Sequence, residues 1–393
     1  MNVLFFTYDF PFPTNSGGKT RAYNLLKFAK KNARITLFSF VRDRFNSSQE
    51  EGLKKIGIDD IIIVPRRSVI DMRSLPSLVS GKSIFHGLYF DKGIEKKLLE
   101  TIEDRKIDIV HFESFYTGYY LSTKLREMGI KQVFGTENIE YLLYEGYAEY
   151  HASYPLRVFF KRQARKIKKE EEHFYQLADC VLTVTNEEKK HVIRSGHENV
   201  IVIENGVDVS IFKSKKNHPA NTLLFIGNFS YYPNVDAMRW FLREVFPLLS
   251  EDLRLLVVGR RSGDISFLKH ARVTTREFVE NTEELFSSGT VLIAPIRIGG
   301  GTNFKIIEAM AARLPVVALS DRISSFDFEN GREFLVGENA GEFADHIKHI
   351  LGDTALRKKI TENAYRAVSK EYDWTKIGDK LYKTWQSLLY EKN

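Results

Sequence analysis

The chain has 393 residues, of which 43% are hydrophobic and 28% are charged, and its net charge is +7. This length suffices for roughly two to three domains, and the composition is that of a soluble globular protein. No apolar run approaches the roughly 18 residues of a membrane span, and the first residues lack signal-peptide features, so we expect a cytoplasmic location. The single cysteine, Cys180, excludes an internal disulfide and a cysteine-cluster metal site. The basic balance favours nucleotides, nucleic acid or an acidic membrane as partners.

The first half of the chain alternates between apolar runs and helical patterns. Val3 to Thr7 predict a buried strand, and Gly17 and Gly18 then precede a helix from about residue 19 to 31. Further strands are predicted at 34–41, 60–64, 107–112 and 131–135, with helices at 48–56, 91–102 and 115–128. This alternation implies a parallel sheet that is covered on both faces. The ligand is then expected at the carboxyl ends of the strands.

Polar side chains follow two of these strands. His111 and Glu113 lie two apart and point to the same side if the strand continues through them. Either is suited to orient or deprotonate a substrate hydroxyl. Alternatively, one of them caps a helix and the other packs beneath a loop. Further candidates follow the next strand: Glu137, Asn138 and Glu140.

The densest charge run is residues 157–169, with seven Arg or Lys residues and no acid. Apolar residues recur through it at helical spacing: Phe160, Ala164, Ile167 and Phe174. This pattern indicates a basic amphipathic helix, which can lie against the acidic inner face of a membrane. We favour a solvated basic face instead, because the acidic residues 170–172 would repel an anionic surface.

A second alternating set follows a polar linker. Strands at 180–184 and 200–203 precede the linker, which places a domain boundary after Phe212. Beyond it, strands are predicted at 222–226, 253–258 and 272–275, with a helix at 235–249. From residue 341 the chain is predicted to be largely helical, through 353–370 and 374–389.

The stretch 291–319 predicts a strand, a glycine-rich turn, a helix and a second strand. After the glycines at 299–301, Thr302 or Asn303 can cap the helix, whose first N–H groups form an anion site. Lys305 and Glu308 lie three apart on one helical face. We interpret Lys305 as reaching a phosphate and Glu308 as accepting hydrogen bonds from sugar hydroxyls. The alternative is a surface ion pair on an ordinary helix.

Three segments in this order resemble the retaining glycosyltransferases of family 4: IENGVDVSIF, LLFIGNFSYYPNVDAMRWF and GGGTNFKIIEAMAARLPVVA. The resemblance implies the α/β GT-B fold, with two facing Rossmann-like domains, parallel sheets and a donor cleft between them. Residues 1–212 would form the acceptor domain and 213–371 the donor domain, with a helix at 372–393 crossing back to the first domain.

The resemblance also implies transfer of a sugar from a nucleotide-diphosphate sugar to a hydroxyl of a glycan, lipid-linked or protein acceptor. Glu113, ranked before His111, stands where the family often has a catalytic-site His or acid. Glu137, Asn138 and Glu140 are then acceptor-side candidates. The implied donor-binding residues are Gly17, Gly18, Gly227, Asn228, Arg260, Val279, Arg297, Gly300, Gly301, Thr302, Asn303, Phe304, Lys305 and Glu308. Among these, Glu308 would bind the ribose, and the backbone of 301–304 would hold the diphosphate.

Two positions depart from the family pattern. Gly300 stands where a glutamate is usual, and Asn228 stands where an arginine is usual. The positive charge would then come from other donor-side candidates: Lys305, Arg260 or Arg297. No two aspartates lie two apart, so an Asp-x-Asp metal site is absent from the sequence, and we expect neither metal nor cofactor.

Other functions stay open at this point. An epimerase or hydrolase acting on a nucleotide sugar uses the same fold, and fold alone does not separate it from a transferase. A catalytically silent nucleotide-sugar-binding subunit is the second alternative, suggested by Gly300. A nucleic-acid partner is not expected, because no recognisable module is present and the aromatic residues do not interleave with the basic run.

Overall fold

The structure, a computed structural model, describes residues 1–30, 33–41, 45–67, 81–150, 153–212, 221–279, 282–298, 304–319, 326 and 328–390. The chain divides into two compact units. The first comprises Met1–Asn205 with Trp374–Asn393, and the second comprises Gly206–Asp373. The division falls after Asn205, whereas the sequence analysis places a boundary after Phe212. At the ends of the second unit, the Val207 N–H donates to the Tyr372 carbonyl at 2.8 Å, and Val207 bridges Asp373.

The first unit contains a sheet of seven parallel strands. The strands are β1 Asn2–Thr7, β2 Arg34–Val41, β3 Asp60–Pro65, β4 Ile109–Glu113, β5 Lys131–Gly135, β6 Cys180–Thr183 and β7 Val200–Val202. Their order is β3-β2-β1-β4-β5-β6-β7. The helices are α1 Gly17–Ala29, α2 Ser47–Lys54, α3 Ile84–Tyr89, α4 Lys92–Arg105, α5 Thr123–Glu127, α6 Glu140–Tyr150, α7 Tyr154–Leu177 and α8 Asn186–Arg194.

The sheet of the first unit is covered on both faces, as its continuous apolar strands require. Leu4 and Phe6 of β1 belong to the large cluster on one face. On the other face, the Phe5 ring lies 6.4 Å from the buried Trp385 ring of the C-terminal helix, Trp374–Tyr390. That helix packs closely on α1, because a Cβ on Gly378 would lie 2.4 Å from Cβ of Phe28.

The second unit contains six parallel strands. They are β8 Thr222–Ile226, β9 Arg254–Val258, β10 Val273–Arg276, β11 Val291–Ala294, β12 Val316–Leu319 and β13 Leu335–Gly337, in the order β10-β9-β8-β11-β12-β13. The helices are α9 Tyr232–Trp240, α10 Thr282–Ser287, α11 Phe304–Ala311, α12 Ala340–Gly352 and α13 Thr354–Glu371, and the C-terminal helix is α14. Successive residues of β8, such as Leu223 and Leu224, pack into separate clusters on the two sheet faces.

Two predicted helices differ from the structure, and one strand was missed. Residues 115–128 form a 3₁₀ turn at Phe115–Tyr120 and then α5, because the Ser122 hydroxyl caps a new helix by accepting from the Leu125 N–H. The helix predicted at 235–249 starts earlier, with Pro233 in its first turn, and ends in a π turn at Phe241–Val245. Strand β13 has only three residues, too few for a readable pattern.

The strand orders locate the expected ligand sites. In each unit the order reverses beside the first strand, between β1 and β4 in the first unit and between β8 and β11 in the second. In open parallel sheets, ligands bind outside the carboxyl ends of the strands at this point. The residues that follow these four strands therefore form the candidate sites.

Candidate functional site

The first site lies at the N-terminal end of α1. A Cβ on Gly18 would lie 2.5 Å from the hydroxyl oxygen of Tyr8 and 2.6 Å from Oε1 of Glu137. The helix start thus comes directly against a carboxyl group. Ser16 precedes α1 without a side-chain capping bond, and the first turn holds no acid. The helix thus presents N–H groups that have no side-chain cap.

Glu137 is the acid that adjoins this helix start. Its Oε1 atom is buried and has no hydrogen-bond partner among the described residues. Burial, followed by repulsion from Glu113, raises the pKa of Glu137 to about 8, although Arg21 and a hydrogen bond from Tyr8 oppose the shift. Glu137 is therefore mainly a neutral carboxylic acid at pH 7, able to donate a hydrogen bond to a substrate oxygen.

Next to this site lies a buried network of three side chains. Arg21 of α1 forms an ion pair with Glu113 of β4, and Glu113 also contacts His111 of the same strand. The strand continues one residue beyond its predicted end, to Glu113, and the two side chains meet: His111 Nε2 lies 2.8 Å from Glu113 Oε2. The Nε of Arg21 donates to Glu113 Oε1 at 2.7 Å. All three side chains are essentially inaccessible to solvent.

This burial bears on the predicted catalytic role of Glu113 and His111. Although burial opposes ionisation, Arg21 and His111 together lower the pKa of Glu113 to about 2. A carboxylate that is so acidic and already engaged through both oxygens is a weak base. In this arrangement Glu113 holds Arg21 and His111 in place. A direct contact of Glu113 or His111 with substrate stays a prediction.

Arg21 is a residue that the sequence analysis missed. Its Nη1 atom donates to the carbonyl oxygens of Ile203 and Glu204, at 3.0 and 3.2 Å, and to Oδ1 of Asn205 at 3.0 Å. The guanidinium thus ties α1 to the segment IEN that follows β7. An arginine at 21 on an apolar helix face, where Ala22, Leu25 and Leu26 are buried, was the available signal.

The remaining acceptor-side candidates lie next to Glu137. Asn138 is half-buried in the bend before α6. Glu140 is buried, accepts from the Tyr116 hydroxyl at 2.8 Å and has a pKa raised by burial to about 7. The N–H groups of Glu140 and Tyr141 both donate to the Glu171 carboxylate, at 2.9 and 3.0 Å, which caps α6.

Two acidic residues that follow the basic run, Glu170 and Glu171, therefore do not form a solvated face. Glu171 is fully buried, and Glu170 is nearly so and accepts from the Ser83 N–H at 2.8 Å and the Tyr119 hydroxyl at 2.8 Å. The argument that these acids would repel an anionic surface is therefore wrong for Glu170 and Glu171, whereas Glu172 is half-exposed. The outer surface of α7 is accordingly more basic than the sequence suggests.

The second site lies after β8, where the main chains at Gly227 and Gly259 pass very close to each other. A Cβ on Gly259 would lie 2.0 Å from the Gly227 carbonyl oxygen, so the chain requires glycine there. Asn228 is exposed, and its side chain accepts from the Ser230 N–H at 2.9 Å. Its carbonyl accepts from the Asn234 amide at 2.9 Å. Asn228 therefore shapes the turn after β8 and brings no charge to it.

Lys305 and Glu308 of α11 do not form the surface ion pair that was the alternative interpretation. The Lys305 side chain is buried, and its Nζ donates to the Ile226 carbonyl at 2.9 Å and Asn234 Oδ1 at 3.4 Å. Burial lowers the pKa of Lys305 to about 7. Glu308 is half-buried, its carboxylate has no partner among the described residues, and burial raises its pKa to about 7. The alternative of a surface ion pair is thus excluded.

Other donor-side candidates have different surroundings. Arg297 forms a two-point ion pair with Asp236, with its Nε and Nη2 atoms at 3.0 and 2.6 Å from the two carboxylate oxygens. Arg260 is exposed, and Val279 packs against the apolar cluster beside α11, as does Phe304. Four predicted donor residues lie outside the described residues: Gly300, Gly301, Thr302 and Asn303.

Two α/β units with these strand orders define the GT-B class of protein. Residues 16–211 match the family model "Glycosyltransferase Family 4", and residues 220–353 match "Glycosyl transferases group 1". The chain therefore carries both domains of a group 1 glycosyltransferase, and the GT-B expectation is confirmed.

The chain is similar over nearly its whole length to one curated protein and to solved structures. An uncharacterised 44.6 kDa protein in the cps region of Klebsiella pneumoniae is 21% identical over 97% of this chain and 99% of that protein. Anabaena Alr3699/HepE, solved with UDP and glucose, has a TM-score of 0.72 at 14% identity over 98% of this chain and 100% of its own. Sucrose-phosphate synthase from Thermosynechococcus elongatus has a TM-score of 0.74 at 15% identity, with both chains fully covered. No described helix of this chain is long and apolar enough to cross a membrane.

The Arg21–Glu113 ion pair predicts an acid-dependent contribution to stability. The depressed pKa of Glu113 corresponds to about 3 kcal/mol, present above the ordinary pKa of 4.5 and lost as pH falls toward 2. Glu113→Gln leaves Arg21 buried without its partner, so we expect a loss of roughly 3–5 kcal/mol at pH 7. The difference from wild type should shrink as pH falls from 5 toward 3.

Urea unfolding at pH 7 and at several pH values below 5 measures this effect. Glu50→Gln is the matched control, because Glu50 forms an exposed pair with Lys54 and its loss should cost at most about 1 kcal/mol. A Glu113→Gln variant as stable as wild type at pH 7 would contradict the assignment.

Proposed function

We propose that this protein is a retaining, metal-independent glycosyltransferase. It moves a hexosyl group from a nucleotide-diphosphate sugar to an acceptor hydroxyl. The supporting observation is the half-buried carboxylate of Glu308, which has no partner among the described residues and lies on the helix that follows β11, in a unit that matches a glycosyltransferase model. The cps region of the K. pneumoniae relative supports a role in assembly of cell-surface polysaccharide or glycoconjugate.

The second unit is proposed to hold the donor. A partly desolvated carboxylate without an internal partner is suited to accept hydrogen bonds from the two ribose hydroxyls, because their donation offsets its burial. At the same sheet edge, the main chains at Gly227 and Gly259 pack directly against each other, which fixes the turn after β8. UDP and glucose bound to the Anabaena protein support this class of ligand.

The first unit is proposed to act on the acceptor and on the transferred sugar. The neutral acid of Glu137 and the start of α1 offer hydrogen-bond donors side by side. The buried network of Arg21, Glu113 and His111 positions these groups through its hydrogen bonds. Glu113 is thus proposed as a positioning residue, and Glu137 as the residue that contacts substrate oxygen.

The proposed step forms a bond between the acceptor oxygen and the anomeric carbon as the bond from that carbon to the diphosphate breaks. The acceptor proton passes to the leaving phosphate on the same face, which retains configuration. Negative charge grows on the diphosphate, and fixed donors stabilise it without reorganising. The sequence lacks an Asp-x-Asp triplet, and we propose that protein groups alone supply this stabilisation.

The donor proposal predicts selective, metal-independent binding. Calorimetry against UDP-, GDP- and ADP-sugars, with and without EDTA, should identify one preferred donor whose affinity EDTA leaves unchanged. Glu308→Ala should weaken that affinity by about 10- to 100-fold, since a carboxylate accepting two hydroxyls contributes about 1.5–3 kcal/mol. The fold should stay intact, because Glu308 makes no hydrogen bond to the described core.

The control for this measurement is Glu338→Ala, an exposed glutamate of the same unit. Failure of wild type to bind any donor would refute the proposal. A silent subunit would bind the donor without turnover, whereas a hydrolase or epimerase would turn it over without an added acceptor.

Glu137 predicts a specific pH dependence of turnover. The raised pKa keeps Glu137 protonated below about 8, so kcat/KM should fall as pH rises through 8 and the acid loses its proton. Glu137→Gln keeps a donor that does not ionise, so its profile should lack this alkaline limb. Glu198→Gln, an exposed control in the same unit, should keep it. An unchanged limb in Glu137→Gln would exclude the role.

We also propose that the protein is cytoplasmic and peripheral at the inner face of the membrane, through α7. Three apolar residues in the first turns of α7 are exposed: Tyr154 by 75%, Leu156 by 42% and Val158 by 50%. Exposed cations continue the same stripe at Arg162 and Arg165. Two of the three acids expected to oppose such contact, Glu170 and Glu171, are buried and accept internal hydrogen bonds.

Vesicle sedimentation tests this contact. The protein should bind vesicles that contain anionic lipid more strongly than neutral ones, and 1 M salt should release much of it. The double variant Arg162→Glu/Arg165→Glu should lose most of this binding. Lys348→Glu/Lys370→Glu, which reverses two exposed cations of the second unit, should keep it. Equal binding of both double variants would exclude α7.

A further inference from the structure

A cavity lies between α6 and α7 of the first unit, and it takes no part in the proposed sugar transfer. Its volume is about 440 Å³. Six residues line it: Glu145, Ala148 and Glu149 of α6, and Arg157, Lys161 and Arg165 of α7. The wall of the cavity therefore carries three cations and two acids.

The charges of the cavity are separated by sign. The cations follow one another at intervals of four residues along α7, and the two acids are also four residues apart on α6. Residues at this spacing lie on the same face of a helix, so one helix presents only cations to the cavity and the other only acids. All five charged side chains are exposed and accessible to a ligand, whereas Ala148 is 1% exposed.

The two sets of charges do not neutralise each other. Among the residues described, none of the five forms an ion pair, although oppositely charged side chains on neighbouring helices can pair on a protein surface. One cation is fixed in place, because the Nε of Arg157 donates to the Ala148 carbonyl at 3.2 Å. A cavity of this size admits a small ligand. A ligand with a negative group at one end and a positive group at the other matches both walls.

The cavity also adjoins the apolar residues of α7 that are proposed to contact the membrane. Arg157 lies in the chain between Leu156 and Val158, which are 42% and 50% exposed. The apolar residues of an interfacial helix enter the boundary between the lipid headgroups and the acyl chains. Charged residues beside them then lie at the level of the headgroups. The ligand nearest to hand is therefore a lipid headgroup.

We propose that this cavity binds the phosphoethanolamine headgroup of a membrane lipid. The phosphate oxygens accept hydrogen bonds from the cations of α7, and the primary ammonium donates to Glu145 and Glu149. A primary ammonium has three N–H donors, whereas the quaternary ammonium of phosphocholine has none. The inference rests on the membrane contact proposed for α7 and deepens it, because it adds one specific lipid to a general attraction for anionic surfaces.

Vesicle sedimentation with two matched lipid mixtures tests this site. Both mixtures contain the same fraction of phosphatidylglycerol, and the remainder is phosphatidylethanolamine in one and phosphatidylcholine in the other. We expect wild type to bind the ethanolamine vesicles about 10-fold more tightly, which is the effect of one hydrogen-bonded charged contact.

The double variant Glu145→Gln/Glu149→Gln separates the headgroup site from simple charge attraction and from effects of lipid packing. The variant makes the cavity more positive, so it should bind the choline vesicles as tightly as wild type or more tightly. Because it lacks the carboxylates for the ammonium, it should no longer prefer the ethanolamine vesicles. Glu127→Gln/Glu198→Gln removes two exposed acids of the same unit outside the cavity and should keep the preference.

The outcomes distinguish the headgroup site from the membrane contact on which it rests. Equal binding of both mixtures by wild type would overturn the headgroup site and leave the general contact in place. A preference that Glu145→Gln/Glu149→Gln retains in full would also overturn it. If wild type binds neither mixture, the membrane contact itself is overturned, and the site with it.

Discussion

The buried ion pair between Arg21 and Glu113 is the interaction on which the first unit depends. Arg21 belongs to the helix after the first strand, Glu113 ends the fourth strand, and the carbonyls that Arg21 also binds follow the seventh. One guanidinium thus fixes three segments that are distant in sequence. Because its partners are internal, the start of α1 is held against Glu137 with little freedom. If either charge were removed, the other would stay buried in the apolar interior, where no water can replace its partner.

The second unit solves a different electrostatic problem. Its sheet edge holds two ionisable groups, Lys305 and Glu308. Neither forms an ion pair with any of the described residues, although Lys305 donates hydrogen bonds to neutral oxygens. Burial lowers the pKa of Lys305 to about 7 and raises the pKa of Glu308 to about 7. Without ligand, each group is therefore only partly charged at neutral pH. Such groups are poorly explained by stability, since apolar residues would pack there at lower cost. They are well explained by a ligand that carries hydroxyls and negative charge, and this is the basis of the proposed donor site.

Much of the fold could be predicted from the sequence, because buried parallel strands appear as short apolar runs between helical patterns. Strands β2, β5, β8 and β12 have the bounds that the pattern predicts. The strand predicted at 107–112 left its continuation to Glu113 open; in the structure β4 reaches Glu113, and His111 and Glu113 meet. The pattern could not show that a third residue, Arg21, would form an ion pair with Glu113. Nor could it show which acids of the EEE run turn inward, because Glu170 and Glu171 cap helices that are distant in sequence. Pairings of this kind depend on tertiary structure.

The chain enters and leaves the second unit at two points that are joined by a hydrogen bond, from Val207 to Tyr372. In topological terms, residues 206–373 are an insertion within the first unit, with their ends side by side. A domain whose ends meet can be exchanged between related proteins without stretching the chain. Evolution could therefore replace the second unit of such a protein as a whole, while α14 and the remainder of the first unit stay in place. The segments that would then have to adapt are the two that connect the units, around residues 205–206 and 373–374.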